Sequence, residues 1–233
     1  MKNGLRIVWI ILIISIIISC TNTTEPKNDQ KLVGTITNTN GIPVDNAKII
    51  LSYHSKSIDS RPTTLIAFEI PNTSNVKVWI SHHNDIDTVK VLIDDDILEA
   101  GVHTLIWDAT NEQNKFIVSN IYDCHIQAQG YSRKIVLPFL QDYYTATGAE
   151  VENYESLDIS NENGEFSINY KNLPLFSNNY SFELYNDEGV VVDTLKILNY
   201  VKIWALHQDF QPTFVDSVLL NENVTTEVSL KFQ

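Results

Sequence analysis

The chain has 233 residues, of which 43% are hydrophobic and 19% are charged. This length predicts one or two domains, and this composition is typical of a chain that buries apolar cores, not of a disordered protein. Eight glycines and seven prolines are too few for a collagen-like or low-complexity protein. The formal net charge of −13 argues against nucleic acid, or an anionic membrane surface, as a binding partner.

The N-terminus has the pattern of an export signal. Lys2 and Arg6 precede an apolar run at residues 7–18. This run is shorter than the roughly 20 residues that a membrane-spanning helix needs. The run leads into Ile-Ile-Ser-Cys ending at Cys20, which resembles the bacterial lipobox. The resemblance implies a lipoprotein signal peptide at residues 1–19 and acylation of Cys20. The alternative is an uncleaved anchor helix.

The stretch at residues 20–30 is polar and predicts a flexible tether. Thr21 stands where an Asp would favour retention at the inner membrane. We therefore expect a lipoprotein of the outer membrane, on either the periplasmic or the surface-exposed side of that membrane. Removing the signal takes away two cations and no acid, which changes the net charge from −13 to −15. With Cys20 acylated, Cys124 is the one remaining cysteine, and an intrachain disulfide is excluded.

Beyond the tether the sequence predicts an all-β protein. Short alternating runs rich in Ile, Val, Thr, Tyr and Phe are separated by Asn, Asp, Gly and Pro, without a sustained helical stripe. This pattern is typical of β-sandwiches. The clearest predicted strands are residues 33–37, 47–53, 65–70, 76–80, 89–93, 103–107, 121–128, 165–169, 180–184, 201–205 and 226–232.

The first and last parts of the chain resemble one family. The motif GxIxNxxGxPVxxAxI at residues 34–49 resembles the opening of a carboxypeptidase regulatory-like domain, a small transthyretin-like β-sandwich. Its Asn-Gly pair ending at Gly41 predicts a two-residue type I′ turn, because both central positions of that turn need positive φ. Residues 158–174 and 201–232 resemble the continuation of the family. The extra segment at residues 186–200 predicts an added hairpin.

Residues 61–130 resemble a second family, the FlgD-like immunoglobulin-like domain, which is named for the flagellar hook-capping protein. The matching markers are AGxH at residues 100–103, WD at 107–108 and SxIY at 119–122. The segment departs from the family in three places. Ala109 replaces a Gly after Trp-Asp, Asn120 replaces a Gly before Ile-Tyr, and residues 81–87 lack the usual turn Gly.

These resemblances imply two β-sandwich domains, one inserted in the other. Residues 31–56 and 155–233 would form the discontinuous regulatory-like domain, and residues 57–154 would form the FlgD-like domain with a return linker. Each regulatory-like half alone is too small to bury a core well, and the entropy of loop closure grows only slowly with loop length. The alternative is three consecutive small sandwiches. Residues 131–156 match neither family and predict a linker or a bridging strand pair.

No catalytic residue is predicted. Cys124 alternates with Tyr122 and Ile126, which predicts a core position, whereas a reactive thiol is exposed and electropositive. The chain contains no Gly-x-Ser-x-Gly motif, which a hydrolase nucleophile would favour. His82 and His83 are adjacent, and in a strand they would point to opposite faces, which is poor for chelation.

No metal site or cofactor is predicted either. The chain has no His-Glu-x-x-His or Cys-x-x-Cys motif. The acidic residues at 85–87 and 94–96 predict turns, and neither matches the twelve-residue calcium loop.

Two families of non-enzymatic modules on a lipid-anchored chain imply a structural or protein-interaction role in the cell envelope, with an envelope or surface protein as partner. The alternative is a carbohydrate-binding lipoprotein that captures glycans. An exposed aromatic row would favour the glycan, and a flat apolar patch or free strand edge would favour the protein. We expect Trp79 and Trp204 to pack between the two sandwiches, and Trp107 with Asp108 to form the strand-end corner of the FlgD-like sandwich. An enzyme would need a compact cleft with convergent acids or histidines.

Overall fold

The computed structural model describes residues 31–56, 65–173, 181–185, 191–221 and 224–233. The described chain is nearly all β, which confirms the predicted fold class. Cys20, the signal peptide and the tether lie outside the described residues. No helix in the described ranges is long and apolar enough to cross a membrane.

The strands are β1 Lys31–Thr37, β2 Lys48–Lys56, β3 Leu65–Ile70, β4 Ser74–His82, β5 Thr88–Leu98, β6 Gly101–Ile106, β7 Asn120–Ala128, β8 Tyr131–Phe139, β9 Asp158–Ile159, β10 Glu165–Asn169, β11 Ser181–Tyr185, β12 Val191–Leu206, β13 Thr213–Leu219 and β14 Thr226–Lys231. Two short 3₁₀ helices, Gly148–Asn153 and Tyr170–Asn172, accompany them.

Strand pairing divides these strands into two sets. The first set holds a three-stranded sheet of order β10-β1-β14 and a five-stranded sheet of order β11-β12-β2-β9, in which β13 pairs with β12. The second set holds the two-stranded sheet β3-β6 and a four-stranded sheet of order β5-β4-β7-β8. In the described chain, β1 and β2 therefore pair with strands that follow residue 157, and β3 to β8 pair among themselves.

Each set encloses its own apolar core, because alternate residues of its strands point to the same side. In the first set, Ile49 and Leu51 of β2 and Ile203 of β12 are fully or almost fully buried in one cluster. In the second set, Phe68 of β3 packs in one cluster with Val78 of β4. Burying one such side chain stabilises the fold by about 1.5–3 kcal/mol.

A third apolar cluster lies on the outer face of the β2-β12 ladder. Ile50, Trp204 and Leu206 point away from the first core, and residues 140–154, called the covering segment here, pack over them. The covering segment follows β8, which is a member of the four-stranded sheet. The predicted linker or strand pair at residues 131–156 is therefore a sheet strand followed by a packed, mostly irregular segment.

The strand alternation predicted most elements, but three strands, β8, β9 and β13, were missed. β8 contains Pro138, which argues against a central strand; β8 is an edge strand, where proline is tolerated. β9 has only two residues, too few for an alternating run. The hairpin predicted at residues 186–200 is displaced toward the N-terminus: the start of β12 is one arm, and it pairs antiparallel with β11, which precedes the predicted segment.

Two predicted turns have a different geometry. The Gly41 N–H donates to the Asn38 carbonyl, so the central residues are Thr39 and Asn40, and Gly41 alone has positive φ (75°). This is a turn followed by a left-handed glycine, not a type I′ turn. Residues 94–96 lie in β5, where the register shifts and Asp95 has a φ of 59°, so they form a bulged strand and not a turn.

Candidate functional site

The corner after β6 is architectural. Trp107 is 1% exposed and its Nε1 donates to the Thr110 carbonyl at 2.9 Å. The Asp108 carboxylate accepts bonds from the Thr110 backbone N–H (3.1 Å) and hydroxyl (2.7 Å). Burial acts to raise the pKa of Asp108, but these bonds outweigh it and hold the pKa below its usual value. Both side chains close the corner, Trp107 from within the core and Asp108 from the exposed side.

Two non-glycine residues of the second strand set have a left-handed backbone. Ala109, which follows Trp107 and Asp108, has a φ of 57°, and Asn84, in the turn after β4, has a φ of 60°. Glycine occupies this region without strain, whereas an alanine there is strained.

Cys124 is a core residue, as predicted. It is fully buried in the second core, and burial raises the pKa of its thiol to about 12. A thiol with such a pKa stays protonated at neutral pH and is a poor nucleophile.

A buried polar network lies on the outer face of the four-stranded sheet. Asp123, 1% exposed, accepts bonds from His83 Nδ1 (2.8 Å), Lys134 Nζ (3.0 Å) and the Asn84 N–H (3.1 Å). Burial acts to raise the pKa of Asp123, and these donors outweigh it and lower the pKa. The carboxylate is thus held in its charged form by a full set of partners.

The same face brings a serine and a histidine together, which sequence reasoning did not predict. Ser81 Oγ lies 2.9 Å from His125 Nε2, but Ser81 is fully buried and its hydroxyl donates to the His82 carbonyl at 3.0 Å. A catalytic serine must reach its substrate. This pair therefore stabilises the sheet.

The three tryptophans have three different environments. Trp204 is fully buried beneath the covering segment, as predicted for a residue between the two strand sets. Trp107 lies inside the second core, at the corner after β6. Trp79 is half-buried on the outer face of the four-stranded sheet, stacked on His125 with ring centroids 4.9 Å apart. The prediction that Trp79 and Trp204 pack between the sandwiches is therefore wrong for Trp79.

A cleft of about 670 Å³ opens where the two strand sets meet. Five parts of the chain line it: the start of β2, the end of β4 with the turn after it, the loop before β7, the segment before β9, and the 3₁₀ helix after β10. Its polar lining is formed by Lys48, His82, His83, Asp85, Asn111, Lys115, Asn120, Tyr154, Glu155, Ser156, Lys171 and Asn172. His82 and His83 line the same cleft because β4 ends at His82, so the strand alternation does not separate them.

The outer face of the β3-β6 sheet is apolar and exposed. The ladder places Leu65 opposite Ile106 and Glu69 opposite Val102. Leu65 is 55% exposed, Val102 74% and Ile106 78%. We call the face formed by Leu65, Ala67, Glu69, Val102, Thr104 and Ile106 the β3-β6 face. Among the described residues, β6 pairs with β3 alone, so β6 also presents a strand edge.

No group of three or more His, Cys, Asp or Glu side chains in the described ranges is arranged to hold a metal ion. Compared with protein-family models, with curated proteins and with solved structures, the chain shows no match.

Proposed function

We propose that the protein is a non-enzymatic, lipid-anchored envelope protein that docks a partner protein on the β3-β6 face. The supporting observation is the exposure of Leu65, Val102 and Ile106 on one face of a two-stranded sheet. Exposed apolar patches on soluble domains mark interaction sites. Beside the patch, one edge of β6 pairs with no other described strand, and an extended segment of a partner can pair with it.

The tryptophans favour a protein partner over a sugar bound on an aromatic platform. Trp107 and Trp204 are 1% and 0% exposed, and Trp79 lies under an imidazole ring. None of them forms a row in a groove. The carbohydrate-binding alternative therefore depends on the cleft and not on the tryptophans.

We further propose the nested domain organisation, with residues 57–154 inserted in a domain of residues 31–56 and 155–233. Its support is the pairing of β1 and β2 with strands beyond residue 157, which three consecutive sandwiches would not need. The covering segment joins the two units through Trp204. In this organisation the inserted domain presents the β3-β6 face away from its own core.

The anchor proposal depends on Cys20 and has its own test. Intact mass spectrometry of the mature protein should show a cleaved, acylated chain, and a Cys20→Ala variant should lack the acyl mass and leave the membrane fraction. A wild-type protein without acyl mass that partitions as soluble would contradict the anchor.

The docking proposal is tested by co-purification from detergent-solubilised envelopes of the native host. An Ile106→Asp variant places a charge in the patch and should lose a partner that the wild type retains. Ile86, 92% exposed in the loop after β4, offers the matched control, since Ile86→Asp should retain it. Equal recovery with both variants would contradict docking on this face.

A further inference from the structure

The cleft between the two strand sets has the dimensions of a ligand site. Its volume of about 670 Å³ lies within the roughly 300–1,000 Å³ of small-molecule sites. The third apolar cluster, formed by Trp204 and the covering segment, lies next to the cleft, so packed side chains support the wall of the cleft.

Several polar groups of the cleft have no protein partner. Among the described residues, no hydrogen bond is formed by His82 Nε2, the Tyr154 hydroxyl, the Asn172 amide or the ammonium groups of Lys115 and Lys171. The other nitrogen of His82 contacts the Asn120 amide at 3.1 Å, which fixes the imidazole. An oriented imidazole, a phenol and an amide offer donors and acceptors of the kind that sugar hydroxyls pair with.

Among the described residues, two of the three lysine ammonium groups of the cleft have no protein partner, whereas its two acids accept hydrogen bonds. Glu155 accepts a bond from the Asn111 amide at 2.6 Å, and Asp85 Oδ1 accepts from the Ile86 N–H at 2.7 Å. Lys115 and Lys171 form no ion pair within the described residues. Lys48 donates to the carbonyls of Glu152 and Tyr154.

Two of the lysines lie close enough to influence one another. Burial lowers the pKa of Lys48, the Glu152 carboxylate opposes this, and the charge of Lys115 lowers it further. With three lysines and two acids, the lining of the cleft has a small net positive charge in a chain of net charge −13, which favours an anion.

We propose that this cleft binds a carboxylate-bearing oligosaccharide. Lys115 and Lys171 pair with its carboxylates, and His82, Tyr154 and Asn172 bind its hydroxyls. The Tyr154 ring, 5.1 Å from the ring of the partly exposed Phe116, supplies an aromatic face for a sugar ring. An acidic peptide is the competing ligand, but its backbone favours a free strand edge such as that of β6.

Titration calorimetry on the full-length protein with tetragalacturonic acid tests this proposal. We expect saturable binding that weakens as salt is raised, and that weakens at least tenfold in the double variant Lys115→Met/Lys171→Met. Lys196→Met/Lys231→Met, which removes two exposed lysines away from the cleft, is the matched control and should bind as the wild type does. Urea midpoints of both double variants establish that they are folded.

Three further ligands make the result decisive. The methyl ester of the same oligosaccharide keeps the hydroxyls and loses the charges, so it should bind at least tenfold more weakly. A glucuronate oligosaccharide distinguishes which uronic acid fits better, and tighter binding of either supports the proposal. Absence of binding, equal binding of the ester, or equal binding of hexaglutamate would overturn it, and none of these results bears on docking at the β3-β6 face.

Discussion

In the part of the chain that the structure describes, the β2-β12 ladder and the β3-β6 sheet each have an apolar outer face, and described residues cover the first but not the second. On the β2-β12 ladder, Ile50, Trp204 and Leu206 lie beneath the chain's own covering segment and are fully buried. On the β3-β6 face, Val102 and Ile106 are exposed by 74% and 78%. The first face is an apolar sheet surface that the chain buries under its own residues. The second lacks such a cover among the described residues, which is why we assign it to a partner.

The largest difference between the two faces is expected in stability. Trp204→Ala should lower the free energy of unfolding by about 3–5 kcal/mol, because it removes the largest side chain of a packed cluster. Ile106→Ser should change it by less than about 0.5 kcal/mol, as for exposed substitutions in general. Urea denaturation of the two variants measures both values. A large loss for Ile106→Ser would mean that the β3-β6 face is already covered within the folded chain.

The next largest effect on stability is expected from the hydrogen bonds that fix the covering segment over the β2-β12 ladder. Trp204 Nε1 donates to Ser52 Oγ at 2.8 Å, and Ser52 Oγ donates to Asp142 at 2.8 Å. Ser52→Ala leaves the buried indole N–H without its acceptor, which should cost about 1–3 kcal/mol. Thr104→Ala on the β3-β6 face is the matched control and should cost far less. Similar losses in the two variants would show that the hydrogen bond does not fix the cover.

A smaller effect is expected at the corner that follows β6. Ala109 has a φ of 57°, and an L-residue in this region costs roughly 1 kcal/mol relative to glycine. Ala109→Gly should therefore raise the melting temperature by about 2–4 °C. Ala67→Gly, in β3 on the exposed face, should lower stability by about 0.5–1 kcal/mol, because glycine weakens a strand. Calorimetry that finds the same sign for both would contradict the strain at Ala109.

The smallest effect is a pH dependence of a third outer face, that of the four-stranded sheet. Burial lowers the pKa of His125 below its usual 6.5, so the unfolded chain binds this proton more readily than the folded chain. Its contribution to stability is present above pH 6.5 and is lost as the pH falls below that value. His125→Phe keeps a ring against Trp79 and should flatten the profile between pH 7 and 5, measured by urea denaturation at each pH. An unchanged slope would exclude His125 as its cause.

Much of the fold could be predicted from local pattern. The β3 and β10 boundaries agree residue by residue with the alternating runs that predict them. β8 was not predicted because it contains Pro138, and proline argues against a strand unless the strand is known to be an edge. The turn at Gly41 has one left-handed residue and not two. The difference arises because the turn is closed one residue earlier than predicted, and the Asn-Gly pair does not specify which residues form that hydrogen bond.

The candidate sites were harder to predict, because long-range packing creates them. Lys48 and Lys171 are 123 positions apart in the numbering yet line one cleft. His82 and His83 share that cleft because a strand ends at His82, a boundary that adjacent polar residues do not mark. The exposure of Val102 and Ile106 also depends on which sheet face the chain covers, and alternation alone assigns both residues only to the same side.

Docking of a partner protein on the β3-β6 face can be tested by site-specific photo-crosslinking in intact cells of the native host. A photoreactive amino acid replaces Ile106 in one variant and Ile86 in the other, both exposed apolar positions of the same strand set. We expect a discrete crosslinked product from position 106 that Val102→Asp abolishes, and no such product from position 86. No product at position 106, or the same product from both positions, would contradict it.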